Sequence, residues 1–98
     1  MSETIQPQPA GSLIESITVE LLAPLMLGNG SRVSQLTLRR PKVKDVKLAA
    51  RFGERQEEQE IGLAALLSGL AAEDIENLDL GDWRKVQESF RRMLGDNG

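Results

Sequence analysis

The chain has no cysteine, no histidine and no tyrosine among its 98 residues, and its aromatic side chains number three: Phe52, Trp83 and Phe90. Each absence removes a class of chemistry. Without cysteine there is no disulfide framework, thiol nucleophile, cysteine-ligated zinc or iron–sulfur cluster. Without histidine the commonest general base and metal ligand is missing, and with it any Ser-His triad. Catalysis would fall to Asp, Glu, Lys or Ser. No apolar run approaches the ~20 residues of a membrane span, and Met1-Ser2-Glu3-Thr4 is too polar and acidic for a signal peptide. A net charge of −3 lacks the surplus of cations that coating nucleic acid needs. What remains is one small domain, expected in the cytoplasm, without metal or cofactor, its core built from Leu, Ile, Val and Ala.

The pattern along the chain divides it into an expected disordered leader at 1–15, a folded domain at 16–95 and a fraying end at 96–98. Gln6-Pro7-Gln8-Pro9 has no apolar period, and proline removes donors and disfavours helix before it. From Ser16 the residues alternate: Ile17, Val19 and Leu21 share one face, Thr18 and Glu20 the other, which predicts a strand. Pro24 makes it an edge strand or bends it there. Asn29-Gly30 predicts a tight hairpin turn with positive φ angles. A second strand follows from Arg32 to Arg39, with Leu36 and Leu38 facing one way and Val33, Gln35 and Thr37 the other. After Pro41, Val43, Val46, Ala49 and Ala50 keep helical spacing, which predicts a helix up to Phe52-Gly53 with Gly53 as its stop. A second helix runs from about Glu54 to Ser68, with Leu63, Leu66, Leu67 and Leu70 as its stripe and Gly69 as its stop. A short turn follows at Ala72–Asn77. The last helix, about Leu80 to Leu94, carries Trp83, Val86, Phe90 and Leu94 on one stripe. The class is α+β: an N-terminal β-hairpin packed on three to four helices.

Charge is divided at Gly53. Residues 1–53 hold seven basic and four acidic side chains, and residues 54–98 hold five basic and eleven acidic. The plainer explanation is that the basic helix lies beside the acidic one and the charges partly cancel, as solvated faces do. The functional alternative is a bipolar surface that steers partners or stacks copies. A nucleic-acid patch over Arg39, Arg40, Lys42 and Lys44 is the weakest, since no aromatic is interleaved to stack bases.

The motifs give no argument for an enzyme. Gly28-Asn29-Gly30-Ser31-Arg32-Val33 fails as a dinucleotide loop, because Val33 stands at the third glycine position and a strand follows. Asp79 and Asp82 are read as capping residues before acid–base groups. Glu57, Glu58 and Glu60 do not share a helix face. Trp83 and Phe90 are read as core, with a partner-facing anchor as the alternative.

Four fragments in order carry a resemblance: Val19-Glu20-Leu21-Leu22-Ala23-Pro24-Leu25; Leu36-Thr37-Leu38-Arg39-Arg40-Pro41 with Asp45 after it; Glu60-Ile61-Gly62-Leu63-Ala64-Ala65-Leu66-Leu67-Ser68-Gly69-Leu70; and Ile75-Glu76-Asn77-Leu78-Asp79-Leu80-Gly81-Asp82-Trp83. Together they resemble the small tail assembly chaperones of contractile-tailed bacteriophages, in which the position of Trp83 is more often Tyr. The resemblance implies a non-catalytic assembly factor. It would bind the tape measure protein, and possibly meet the tail tube protein, in the host cytoplasm, and be absent from the mature virion. It also implies that a longer frameshifted product commonly accompanies the short one. The rivals are a generic interaction module, or a DNA-binding regulator using the basic helix at Pro41–Arg51. The expected partner-binding residues are Arg39, Arg40, Lys42, Lys44 and Trp83. Self-association is an open expectation; nucleic-acid and membrane partners are not expected.

Overall fold

The computed structural model describes residues 14–95. The expected fraying end at 96–98 lies outside the described residues, as does the expected leader except for Ile14 and Glu15. Ile14 packs against the core, and the Glu15 carbonyl accepts the Arg40 N–H at 2.8 Å.

Strand β1 spans Ser16–Met26 and β2 spans Arg32–Arg39. They form a two-stranded antiparallel hairpin. Val19 faces Leu36 and Ile17 faces Leu38 across the ladder, while Thr18 and Thr37 pair their hydroxyls at 3.1 Å on the solvent side. On the Ser16–Glu20 side of the bulge the alternation of apolar and polar residues sorts the two faces as predicted. Val33, expected on the outer face with Gln35 and Thr37, instead packs against the core beyond the register shift, opposite Leu25. The turn differs from the two-residue form. Leu27 N–H donates to Ser31 O at 2.7 Å and Gly30 N–H to Leu27 O at 2.9 Å, so the loop is three residues long. Only Gly30, at φ 90°, is left-handed; Asn29 is not. Asn29 instead accepts hydrogen bonds from the N–H and hydroxyl of Ser31. A three-residue loop ending in a left-handed glycine suits hairpin twist as well as a two-residue turn does.

Pro24 lies in a bulge. Glu20 pairs with Gln35 and Leu25 with Val33, so five steps along β1 match two along β2. Proline brings no donor to a ladder, so an irregular stretch accommodates it at little cost.

The helices follow as α1 (Val43–Ala49, continued by a 3₁₀ turn to Phe52), α2 (Gln56–Ser68), α3 (Ala72–Glu76) and α4 (Leu80–Met93). Helix α4 packs on β1, and α2 packs on β2, α1 and α3. Their shared core joins Val19, Leu25, Leu36 and Leu38 of the hairpin to Ala64, Ala65 and Leu67 of α2, Ile75 of α3, and Val86, Phe90 and Met93 of α4.

Three predicted stripes shift. In α2 only Leu67 of the expected stripe is fully buried; the other buried places go to Gly62, Ala64 and Ala65. This helix has neighbours on several sides, and small residues are what let them approach. A Cβ on Gly62 would stand 2.4 Å from the Phe52 ring, which lies across that spot. In α4 Met93 is buried in place of Leu94, because the helix ends there and Leu94 turns outward. In α1 only Ala49 of the apolar residues at helical spacing is buried. Val43 is 87% exposed and Val46 60% exposed, and a carboxylate, Asp45, points inward instead.

Candidate functional site

Most sheets close their polar backbone by regular pairing; this one uses side chains from distant helices. In the bulge β2 offers Leu22 and Ala23 no ladder partner. Their N–H groups donate to Asp82 at 2.8 Å (Oδ1) and 3.2 Å (Oδ2). Asp82 is fully buried in the first turn of α4. Burial opposes its charge, yet the two N–H donors, with Lys85 Nζ 3.5 Å away, outweigh that and hold its carboxyl below the usual carboxylate range. Lys85 also donates to the Glu20 carbonyl at 2.8 Å, and Gly28 N–H donates to Asp74 at 2.9 Å. The hairpin is thus clasped by α3 and α4 along β1 and the start of the turn. Asp79 caps α4 by accepting from Gly81 N–H at 2.8 Å. Of the two aspartates read as caps, one is a cap and the other is the clasp.

A second carboxylate organises the other end of the hairpin. Arg39 grips Asp45 with two parallel bonds of 2.9 and 2.8 Å, and the Lys42 N–H adds a third at 2.7 Å. The Arg39 guanidinium first, then the Lys42 N–H, hold the Asp45 carboxyl far below its ordinary value despite burial. Arg40 donates to the carbonyls of Ile14 (3.1 Å) and Met93 (2.6 Å), tying the start of the described chain to the end of α4.

The five expected partner-binding residues therefore separate. Arg39, Arg40 and Lys42 border one hollow of about 320 Å³ together with Glu15 and Pro41, but both arginines are occupied in holding the domain. Lys42 and Lys44 are exposed. Trp83 is half-buried in another hollow of about 150 Å³, among Ile61, Ile75, Leu78 and Leu80. Sequence reading missed Asp82 as a joint between elements, since nothing local says that a carboxylate will meet a strand 60 residues earlier.

The basic helix α1 does lie beside the acidic α2, as the plainer explanation expects, but without close ion pairs between them. Among the described residues the ion pairs are Arg39–Asp45, Lys85–Asp82 and Arg91–Glu88. None joins a cation of α1 to a carboxylate of α2 or α3. The outer face of α1 accordingly presents Val43 and Val46 beside Lys44 and Lys47, with Arg51 in the 3₁₀ turn beyond. Elsewhere Leu22 and Leu80 are also exposed. Among the described residues no group of three acidic side chains gathers as a metal site, and no helix is long and apolar enough to cross a membrane.

Compared with known proteins, the chain matches the sequence model of the family described as phage tail assembly chaperone proteins, E, or 41 or 14, over residues 18–95. No curated protein and no solved structure gives a significant match. The matched span runs from β1 to the residue after the C-cap of α4, and so takes in both carboxylate joints.

Proposed function

The chain belongs to the phage tail assembly chaperone family, and from that premise we propose that it is a non-catalytic holdase for the tape measure protein. It binds that long helical chain in the host cytoplasm, keeps it soluble until tail tube subunits assemble around it, and leaves before the virion is complete. The observation that carries the reading is the family match over residues 18–95, nearly all of the folded domain. The structure adds a physical means. Large apolar side chains stand in water on the helical half while buried polar joints fix the scaffold beneath them. A holdase must present apolar surface to an unassembled client and yield when a tighter partner covers the same surface. Of the residues expected to meet the partner, Lys42, Lys44 and Trp83 have surface to give.

The test is co-expression with the tape measure protein encoded in the same gene neighbourhood, followed by size-exclusion chromatography with light scattering. The expected result is a stoichiometric soluble complex, with the client insoluble alone. A client that is soluble alone and elutes separately would overturn the reading and favour a generic interaction module.

A further inference from the structure

Resting on the chaperone reading, we propose that the outer face of α1 is a docking strip for an acidic amphipathic helix of the client. Three observations meet there. First, Val43 and Val46 lie a helical turn apart and are the most exposed of the large apolar side chains on this helix, at 87% and 60% exposure. A valine so placed loses nothing by being covered and gains on the order of 25 cal/mol per Å² of apolar surface removed from water.

Second, the opposite face of α1 is fixed. Asp45 is locked by Arg39 and by the Lys42 N–H, and Ala49 is buried. The helix therefore cannot roll its valines inward without breaking the bidentate pair that holds the buried Asp45 carboxylate. The exposed strip is a consequence of that lock.

Third, the charges flanking the strip are of one sign. At 100° per residue, Lys44, Lys47 and Arg51 line one border of the Val43–Val46 strip. Among the described residues none of them has a carboxylate within ion-pair distance, although the chain carries many acidic groups. The partner that complements this face has an apolar stripe with Asp or Glu along its flank. Nucleic acid would use the cations but give the valines nothing to cover, and no aromatic lies on the strip to stack a base.

From Val43 to Phe52 the helical segment is about 15 Å long, so it covers about three turns of a docked helix. A contact of that length is small and belongs to the weak, exchanging class of interface. That fits a client which must later be surrendered.

The test uses the full chain and two synthetic 20-residue helical peptides with the same leucine stripe, one flanked by Glu and one by Lys, read by fluorescence anisotropy. The Glu peptide should bind at least about tenfold more tightly than the Lys peptide, and the preference should shrink with added salt. Val46→Asp should abolish Glu-peptide binding without changing the thermal melt; Lys44→Glu with Lys47→Glu should erase or invert the preference. Equal binding of both peptides, binding of neither, or indifference to Val46→Asp overturns the proposal. So does tighter binding of a 20-base-pair duplex that ignores the valine change, or a self-associated chain that Val46→Asp disperses while no peptide binds. The parent reading is separable. If Val43→Asp/Val46→Asp still yields a soluble complex with the tape measure protein, the chaperone stands and the strip falls. If the wild-type chain binds the Glu peptide but leaves the client insoluble, the strip stands and the chaperone reading falls.

Discussion

Two faces of the same short helix have opposite characters. The inner face of α1 buries a charge: Asp45, almost wholly out of water and held by Arg39 and a backbone N–H. Its outer face leaves two valines in water. A helix arranged for stability alone would put them the other way round, because unpaired charge is costly inside and apolar surface is wasted outside. The seam between β1 and α4 repeats the inner pattern, with Asp82 buried against the N–H groups of a bulge. In both places the buried carboxylate is fully partnered and fixes geometry. The difference teaches a division of labour: polar joints set the shape, and the apolar surface this leaves outside is available to a partner.

The comparison can be broken hardest at the seam. Asp82→Ala leaves the Leu22 and Ala23 N–H groups unpaired and should lower stability by about 3 kcal/mol, read as a shift of the urea midpoint. Asp45→Ala removes a part-exposed ion pair and one backbone acceptor; about 2 kcal/mol is expected from the same measurement. Acid should weaken both joints together. Each carboxyl is held below its ordinary value in the fold, so its contribution is complete above the unfolded value of about 3.9 and is lost as pH falls towards the folded one. Urea midpoints should be level from pH 7 to about 5 and then fall, and the fall should be shallower in either alanine variant. Gly62→Ala should cost about 1 kcal/mol net, since crowding the Phe52 ring outweighs the better helix propensity of alanine. In a Phe52→Ala background the same change should turn neutral or favourable. The smallest effect sharpens the contrast most. Val43→Asp or Val46→Asp should move stability by no more than about 0.5 kcal/mol while client binding is lost.

How far this was legible in the sequence varies by element. The hairpin faces were readable because period-two alternation at Ile17, Val19, Leu36 and Leu38 has a single inward solution. The α2 stop at Gly69 was readable because its left-handed φ of 78° is the ordinary ending of a helix. The direction of α1 was not. Periodicity at Val43 and Val46 says that a stripe exists, and only the Arg39–Asp45 pair decides that it points outward. The preference for Met93 over Leu94 depends on where α4 stops, which single-sequence patterns locate only within a few residues. As for the candidate site, the basic residues were visible as a cluster. Setting Arg40 apart as structural required the carbonyls of Ile14 and Met93, which lie far apart in sequence, whereas Arg39 is held by Asp45 only six residues on.

The Asp82 joint also ties the fold to the order in which the chain is made. Its partners, Leu22 and Ala23, leave the ribosome about 60 residues before Asp82 does. During that interval the hairpin has its ladder but no latch, and a two-stranded hairpin by itself is marginal in water. The domain can close only once α4 has been synthesised, so translation itself sets the earliest moment at which the rigid scaffold exists.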